Sequence, residues 1–297
     1  MTSKYRGRFA PTPSGPLHLG SLLTAFASYL QARSQGGSWL IRIDDLDTPR
    51  NVFGADSEIL RQLEAHGFEW DEAPRYQSKH IAEYTAALAQ LSKQRRLYAC
   101  VCTRAELTQR STSGPDGPVY AATCRGRTIN DLPHALRIRA DDITISFEDG
   151  WQGHQQRQLS TEVGDFVVRR NDGQIAYQLA CAVDEARQSI SEVVRGSDLL
   201  GSTFRQIYLQ RLLSLPSVEY RHLPVLVDQR QLKLSKQNHA KPITANEASS
   251  NLLRCLQWLK QAPPADLADA SVAEIQAWGV MHWNPATVPQ IMSVTLE

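Results

Sequence analysis

The sequence predicts an α/β fold built around a parallel sheet, and its first 45 residues carry this prediction. A strand-like segment at 5–10 leads through the turn PTPSGP into a segment at about 20–35, where apolar residues recur at helical spacing. The glycine pair at 36–37 marks the end of this helix, and SWLIRIDD follows as a second strand. Strand, tight turn, helix and strand form a βαβ unit, which is typical of Rossmann-like nucleotide-binding sheets.

The rest of the chain predicts an interrupted version of this fold. Helices are expected at about 55–66, 79–96 and 203–214, and LPVLVD is expected to be a further strand. The short β-like runs HALRIRA and DITISFED, with the loop STSGPDGP, indicate an insertion. NDG in DFVVRRNDGQIAYQLACAVDEA predicts a hairpin turn leading into a helical stretch. The expected units are two halves of the main domain at 1–97 and 171–240, an insertion at 98–170 and a small helical C-terminal domain at 241–297.

Composition excludes several classes of protein. The 297 residues are 42% hydrophobic and 21% charged, as in ordinary globular chains. The formal net charge of +1 is too small for a protein that coats nucleic acid non-specifically, although it permits recognition of one folded RNA through a local surface. No apolar run reaches the roughly 18 residues that a membrane span needs. The N-terminal MTSKYRGRF has no apolar core of a secretory signal, so a cytoplasmic protein is expected.

Three of the five cysteines lie within 25 residues, which favours a metal site in a reducing compartment over disulfides. Cys100, Cys102 and Cys124 supply three ligands, whereas a structural zinc ion needs four. No histidine lies between positions 102 and 124, so the fourth ligand is either Tyr120 or an unassigned side chain. The alternative is a group of three buried cysteines without a metal.

Two short stretches indicate phosphate chemistry. In APTPSGPLHLGS, the helix start offers N–H groups to an anion, His18 can donate to a phosphate, and Gly20 allows close approach of a flat base. In KLSKQ, Lys233 and Lys236 can neutralise charge on a transferring phosphate. Taken singly, the first stretch could equally be a capped helix with an incidental histidine, and the second a solvated basic loop.

Together the two stretches resemble the HIGH and KMSKS signatures of class I aminoacyl-tRNA synthetases, in the family's order and with an insertion between them. They stand here as His18-Leu19-Gly20-Ser21 and Lys233-Leu234-Ser235-Lys236-Gln237. Ser21 replaces the second histidine, Leu234 the methionine and Gln237 the last serine. The resemblance implies a class I synthetase fold, Mg²⁺-ATP as a substrate, and catalytic roles for His18, Ser21, Lys233 and Lys236. It implies ATP contacts by His18, Gly20, Ser21 and Lys236.

The flanking residues RFAPTPSGPLHLGS and LIRIDDLDTPR are similar to those of glutamyl-tRNA synthetases. This resemblance implies that Arg8 and Arg195 meet the carboxylates of L-glutamate and that Asp44, where the family has Glu, meets its ammonium group. The implied glutamate site comprises Arg8, Phe9, Ala10, Pro11, Thr12, Asp44, Tyr177 and Arg195. From the residues alone, the arginines could be surface ion-pair partners, Tyr177 a core residue, and the aspartates at 44 and 45 a helix cap.

About 60 residues follow Gln237, which are enough for a helical stem but scarcely for an anticodon-reading domain. This length, with the pattern C-x-C…Y-x₃-C, resembles the glutamyl-queuosine tRNA(Asp) synthetases, in which the tyrosine is the fourth ligand of one structural zinc. The resemblance implies activation of glutamate without tRNA and its transfer to queuosine at the wobble position of tRNA(Asp), by a monomer that needs no membrane.

Two other functions stay open at this point. One is a tRNA-dependent glutamyl-tRNA synthetase that works with a separate anticodon-binding partner. The other is a non-catalytic RNA-binding paralogue, in which the departures at Ser21 and Gln237 would mark lost activity.

Overall fold

The computed structural model describes residues 4–129, 133–234 and 241–296. The helices are α1 (Leu19–Ser34), α2 (Ala55–Ala65), α3 (Ile81–Lys93), α4 (Arg104–Arg110), α5 (Tyr177–Arg187), α6 (Leu200–Leu213), α7 (Ala248–Trp258) and α8 (Val272–His282). The strands are β1 (Arg6–Phe9), β2 (Ser38–Ile43), β3 (Arg75–Tyr76), β4 (Leu97–Cys100), β5 (Thr112–Gly114), β6 (Gly117–Val119), β7 (Ala135–Ile138), β8 (Thr144–Asp149), β9 (Gly153–Gln158), β10 (Phe166–Arg169), β11 (Glu192–Gly196), β12 (Glu219–Leu223), β13 (Val225–Val227) and β14 (Ser293–Thr295). Within these ranges, no helix has the length and apolar character needed to cross a bilayer.

A parallel sheet forms the centre of the molecule, as predicted. β1 pairs with β2 and β2 with β3, all in parallel. On the other side of β1, the Ser191 N–H donates to the Arg6 carbonyl, which brings β11 alongside, and β11 pairs in parallel with β12. The carboxyl ends of β1 and β11 therefore lie next to each other, and such an edge is where open α/β sheets bind ligands.

The segment predicted as an insertion has two parts. One is an antiparallel sheet in the order β10-β7-β4, with the small β5–β6 hairpin beside it. The other is the β8–β9 hairpin, which joins the central sheet because Asp149 pairs with Tyr220 of β12. Part of this segment thus extends the main sheet, and it delivers Asp149 to the buried side of β12.

The sequence prediction missed several strands, and two of these, β12 and β14, come after α6. LPVLVD was expected to form one strand, but β12 ends at Leu223 and β13 starts at Val225, on either side of Pro224. β12 escaped prediction because Glu219, Arg221 and His222 make it look like a polar loop. The second missed strand is β14, which follows the C-terminal helices and pairs in parallel with β13.

The C-terminal helices pack on the first helix of the chain. Leu252 and Leu256 of α7 and Ile275 of α8 belong to the same hydrophobic cluster as Phe26 and Leu30 of α1. All five side chains are completely buried. Residues 241–296 therefore stabilise the helix that begins at His18.

The tightest point of this contact generates a stability prediction. A Cβ atom added at Gly279 of α8 would lie 3.0 Å from Cδ2 of Leu30 and 3.5 Å from Cζ of Phe26. We expect Gly279→Val to overpack this contact and to lower the free energy of unfolding by about 1–3 kcal/mol. Chemical denaturation followed by circular dichroism measures the loss. Ala277→Val, on the exposed side of the same helix, is the matched control, and equal stabilities of the two variants would contradict the prediction.

Candidate active site

A cavity of about 680 Å³ opens at the carboxyl ends of β1 and β11. It brings together most of the residues predicted from sequence. Those that line it are Arg8, Phe9, Ala10, Pro11, Thr12, His18, Gly20, Ser21, Tyr177, Arg195 and Lys233. Lys236, together with Ser235 and Gln237, lies outside the described residues. Residues that are far apart in sequence therefore line one cavity.

His18 caps the helix that begins beside it. Its Nδ1 accepts from the backbone N–H groups of Gly20 (3.1 Å) and Ser21 (3.3 Å), and its Nε2 lies 3.1 Å from the Ser21 hydroxyl. Because Nδ1 is an acceptor here, the neutral ring carries its proton on Nε2, which can donate. His18 thus accepts hydrogen bonds from N–H groups in the first turn of α1. It is both the cap of this helix and a residue of the cavity wall.

Gly20 makes this arrangement possible. A Cβ atom at position 20 would lie 3.1 Å from Cε1 and 3.2 Å from Nδ1 of His18, closer than side chains normally approach. The expectation was that Gly20 leaves room for a flat base. In the structure, the space beside its Cα holds the imidazole ring, so the spacing His-x-Gly is needed for the cap itself.

Arg195 is a buried cation whose partners among the described residues are all neutral. Its Nε donates to His222 Nε2 (3.0 Å), Nη1 to Gln206 Oε1 (2.8 Å) and Nη2 to Thr203 Oγ1 (2.7 Å). The hydroxyl of Tyr177 lies 3.5 Å from Nη1. Among the described residues, no carboxylate lies within ion-pair distance of this guanidinium. A buried charge is costly unless it is paired, so an arginine held this way in a cavity wall attracts an anionic ligand.

A second group of charged side chains lies beneath the cavity, and its members compensate one another. Three guanidinium groups and three carboxylates form a network beneath the cavity, through the ion pairs Arg8–Glu185, Arg42–Asp44, Arg42–Asp184, Arg42–Glu185 and Arg75–Asp184. Three of the five N–H groups of Arg8 already have acceptors, since Nε and Nη2 donate to Glu185 and Nη1 to the Val194 carbonyl. Arg8 therefore keeps two N–H groups for a ligand.

Asp44 belongs to this network and is not part of the cavity wall. Its Oδ1 accepts from Arg42 Nε at 2.7 Å. Burial raises the pKa of Asp44 to about 6, against the opposing effect of Arg42. A contact with the substrate ammonium stays a prediction for this residue.

Lys233 is one of the residues that line the cavity. A tight turn at Asp228–Gln231 folds the chain back, so that Lys233 forms a bridge with Val227. Its Nζ lies 2.5 Å from Oδ2 of Asp198, which also lines the cavity. Asp198 thus holds the amino group at the place where an anionic ligand would meet it.

The cysteine cluster has the dimensions of a tetrahedral metal site. The sulfur atoms of Cys100, Cys102 and Cys124 all lie within 4.8 Å of one another. Tyr120 Oη lies 3.4 Å from the sulfurs of Cys100 and Cys102. Zinc–sulfur bonds of about 2.3 Å place tetrahedral ligands roughly 3.5–3.8 Å apart, so these four side chains fit a zinc ion. Arg137 donates to Cys100 Sγ (3.2 Å) and stacks on the Tyr120 ring, which suits a cluster of thiolates.

Sequence reasoning missed Asp198, which lines the cavity, and several residues that lie behind its wall, namely Asp149, Glu185, Thr203, Gln206 and His222. The sequence offered a signal for Asp198, because this residue stands three positions after Arg195 in RGSDLL. Asp149 looked like part of a turn in EDGW and His222 like part of a loop. Only strand pairing makes these two neighbours.

The cluster geometry generates a metal-binding prediction. We expect the purified protein to contain about one zinc ion per chain, and Cys124→Ser to lose it, because serine is a poor zinc ligand. Elemental analysis measures the metal. Cys255→Ala removes a fully buried thiol elsewhere and should keep the zinc. A wild-type protein that binds no zinc when it is supplied would contradict this prediction.

Comparison with known proteins identifies the family of this chain. Residues 4–251 match the family described as tRNA synthetases class I (E and Q), catalytic domain. The chain is 48% identical to the Glutamyl-Q tRNA(Asp) synthetase of Dechloromonas aromatica, with 98% of this chain and 97% of the relative covered. It is 46% identical to the protein of the same name from Pseudomonas aeruginosa, with 100% and 99% covered.

Solved structures show the same fold. Glutamate-tRNA synthetase from Elizabethkingia anophelis superposes with a TM-score of 0.81 at 24% identity, covering 99% of this chain and 68% of that one. A glutamate tRNA ligase from Elizabethkingia meningosepticum, in complex with its amino acid, gives 0.79 at 25% identity, covering 99% and 67%. The chain therefore belongs to the class I tRNA synthetases of the E and Q group, in the branch of its Glutamyl-Q tRNA(Asp) synthetase relatives, and is an ATP-dependent ligase.

Proposed function

We propose that this enzyme activates L-glutamate with Mg²⁺-ATP in the absence of tRNA, and then transfers the glutamyl group to queuosine at the wobble position of tRNA(Asp). The near full-length similarity to Glutamyl-Q tRNA(Asp) synthetases supports the substrates. The observation that carries the amino-acid assignment is the buried guanidinium of Arg195, which has neutral partners only and faces a cavity of substrate size.

In the proposed ground state, Arg195 and the two remaining N–H groups of Arg8 bind glutamate carboxylate, beside the hydroxyl of Tyr177. Two guanidinium groups suit an amino acid with two carboxylates, since each can form charge-assisted hydrogen bonds in a fixed plane. The backbone from Phe9 to Thr12 forms the floor between them. Asp44 lies behind this floor, where its negative charge favours the substrate ammonium.

ATP is proposed to lie between the start of α1 and the segment that carries Lys233 and Lys236. The Nε2–H of His18 and the hydroxyl of Ser21 are the donors nearest to its phosphates. The α-carboxylate of glutamate attacks the α-phosphorus in line, and pyrophosphate leaves. The contribution of the protein is to position the reactants and to stabilise the developing charge, for which the lysine ammonium groups and Mg²⁺ are suited.

In the second step, a hydroxyl of the modified base attacks the carbonyl of glutamyl-adenylate, and AMP leaves.

We propose that the enzyme acts as a monomer with one structural zinc ion held by Cys100, Cys102, Tyr120 and Cys124. In this proposal the zinc ion stabilises the insertion, and the chemistry takes place at the sheet edge.

Glutamate-dependent exchange of pyrophosphate into ATP tests the first step. We expect exchange with no tRNA present. Exchange that begins only when tRNA(Glu) is added would favour a tRNA-dependent glutamyl-tRNA synthetase instead, and its absence under both conditions would favour a non-catalytic paralogue.

Transfer of labelled glutamate to tRNA(Asp) with and without queuosine tests the second step. Equal labelling of the two tRNAs would overturn the queuosine assignment.

Replacement of Arg195 tests the amino-acid site. Arg195→Lys keeps the positive charge but loses the planar fork and its three neutral acceptors. We expect the KM for glutamate to rise roughly 10- to 100-fold, the loss expected for one or two charge-assisted hydrogen bonds. The KM for ATP should stay within a factor of two or so, because that part of the cavity is unchanged. An unchanged KM for glutamate would remove Arg195 from the proposed site.

A further inference from the structure

A chain of three buried side chains begins at Arg195. Behind it lies His222 of β12, and behind His222 lies Asp149 at the end of β8. His222 is completely buried, and Asp149 is 4% exposed. No part of the sequence pattern assigned either residue a role, and neither lines the cavity.

The proton on His222 can be placed from its partners. Arg195 Nε–H can only donate, so His222 Nε2, 3.0 Å away, must accept. The proton of the neutral ring then lies on Nδ1, which donates to Asp149 Oδ2 at 2.5 Å. Burial, with the neighbouring Arg195 charge, lowers the pKa of His222 to about 4 against the opposing effect of Asp149, which is consistent with a neutral ring.

Asp149 is itself fixed by the backbone. Its Oδ1 accepts from three backbone N–H groups, those of Trp151 (3.0 Å), Gln152 (2.9 Å) and His222 (3.1 Å). Only Oδ2 is directed at the imidazole. Although burial acts to raise it, the hydrogen bonds from His222 and the backbone hold the pKa of Asp149 below its usual value. The carboxylate is therefore an acceptor of fixed orientation.

We propose that Asp149 and His222 are positioning residues for glutamate binding: Asp149 keeps His222 in the Nδ1–H tautomer, and the unprotonated Nε2 holds the Arg195 guanidinium in the cavity wall. In this tautomer, Nε2 can also accept from the Thr203 hydroxyl, which lies 3.2 Å away. This inference rests on the proposed function, in which Arg195 binds the amino-acid substrate. A neutral acceptor suits this task because a carboxylate in direct contact would compete with the substrate for the guanidinium.

Asp149→Asn separates this role from simple packing. Three N–H donors face Oδ1, so the asparagine must place its oxygen there and its NH₂ group against the imidazole. The NH₂ group donates to Nδ1, which moves the ring proton to Nε2. There it opposes the Nε–H of Arg195, and the guanidinium loses one of its three acceptors while Gln206 and Thr203 remain.

We expect the Asp149→Asn variant to show a KM for glutamate at least about tenfold higher in pyrophosphate exchange, with the KM for ATP unchanged. Asp165→Asn is the matched control. It replaces another buried carboxylate that accepts from a backbone N–H, in the insertion and away from the cavity, and it should leave both KM values unchanged. An unchanged KM for glutamate in Asp149→Asn, or an equal rise in both KM values, would overturn the proposal.

A direct observation of the wild-type ring decides the matter even if Asp149→Asn fails to fold. Imidazole ¹⁵N spectra, assigned by the loss of one signal in His222→Gln, should show His222 as the Nδ1–H tautomer at pH 7. A proton on Nε2, or a charged ring, would overturn the inference. Absence of exchange in the wild-type enzyme would instead count against the proposed function, so the two failures are distinguishable.

Discussion

The fold depends on the compensation of buried charge at the centre of the sheet. Arg8 comes from β1, Arg42 from β2 and Arg75 from β3, while Asp184 and Glu185 come from α5, which lies beyond the insertion. Each of these ions would be costly if buried alone, and each is acceptable only when its partners are in place. The network therefore requires that the two halves of the main domain meet in one register. The network also lies directly beneath the cavity, and Arg8 belongs to both.

Arg195 differs from the arginines of this network in the charge of its acceptors. Its neighbours Arg8 and Arg42 have carboxylates in contact, whereas its own acceptors are an imidazole, an amide and a hydroxyl. Neutral acceptors fix the direction of the guanidinium while leaving its charge unneutralised. A site for the proposed dicarboxylic amino acid can be built in this way from ordinary polar residues, because the position of each charge matters more than the number of charges.

The insertion contributes to the site through its strands as well as through the cysteine cluster. The β8–β9 hairpin adds to the edge of the central sheet and brings Asp149 to His222. On the opposite side, Asp116 of the β5–β6 turn packs against Gly201 at the start of α6 and pairs with Arg157 of β9. The same helix α6 supplies Thr203 and Gln206 to Arg195. The insertion therefore braces the elements that hold the guanidinium.

The sequence by itself determined the parallel sheet and the helix capped by His18, because these follow from local rules of periodicity and turn chemistry. The group of cavity-lining residues and the Cys-Tyr pattern were expected from the resemblance to the synthetase families, through short motifs that each lie within one segment of chain. Tertiary structure alone decided which charges are compensated. It placed the His18 ring beside the Cα atom of Gly20 and paired Asp44 with Arg42. It also brought His222 into hydrogen-bond contact with both Asp149 and Arg195. A polar residue has the same identity on the surface and in the core, and only the pairing of distant strands reveals which partner satisfies it.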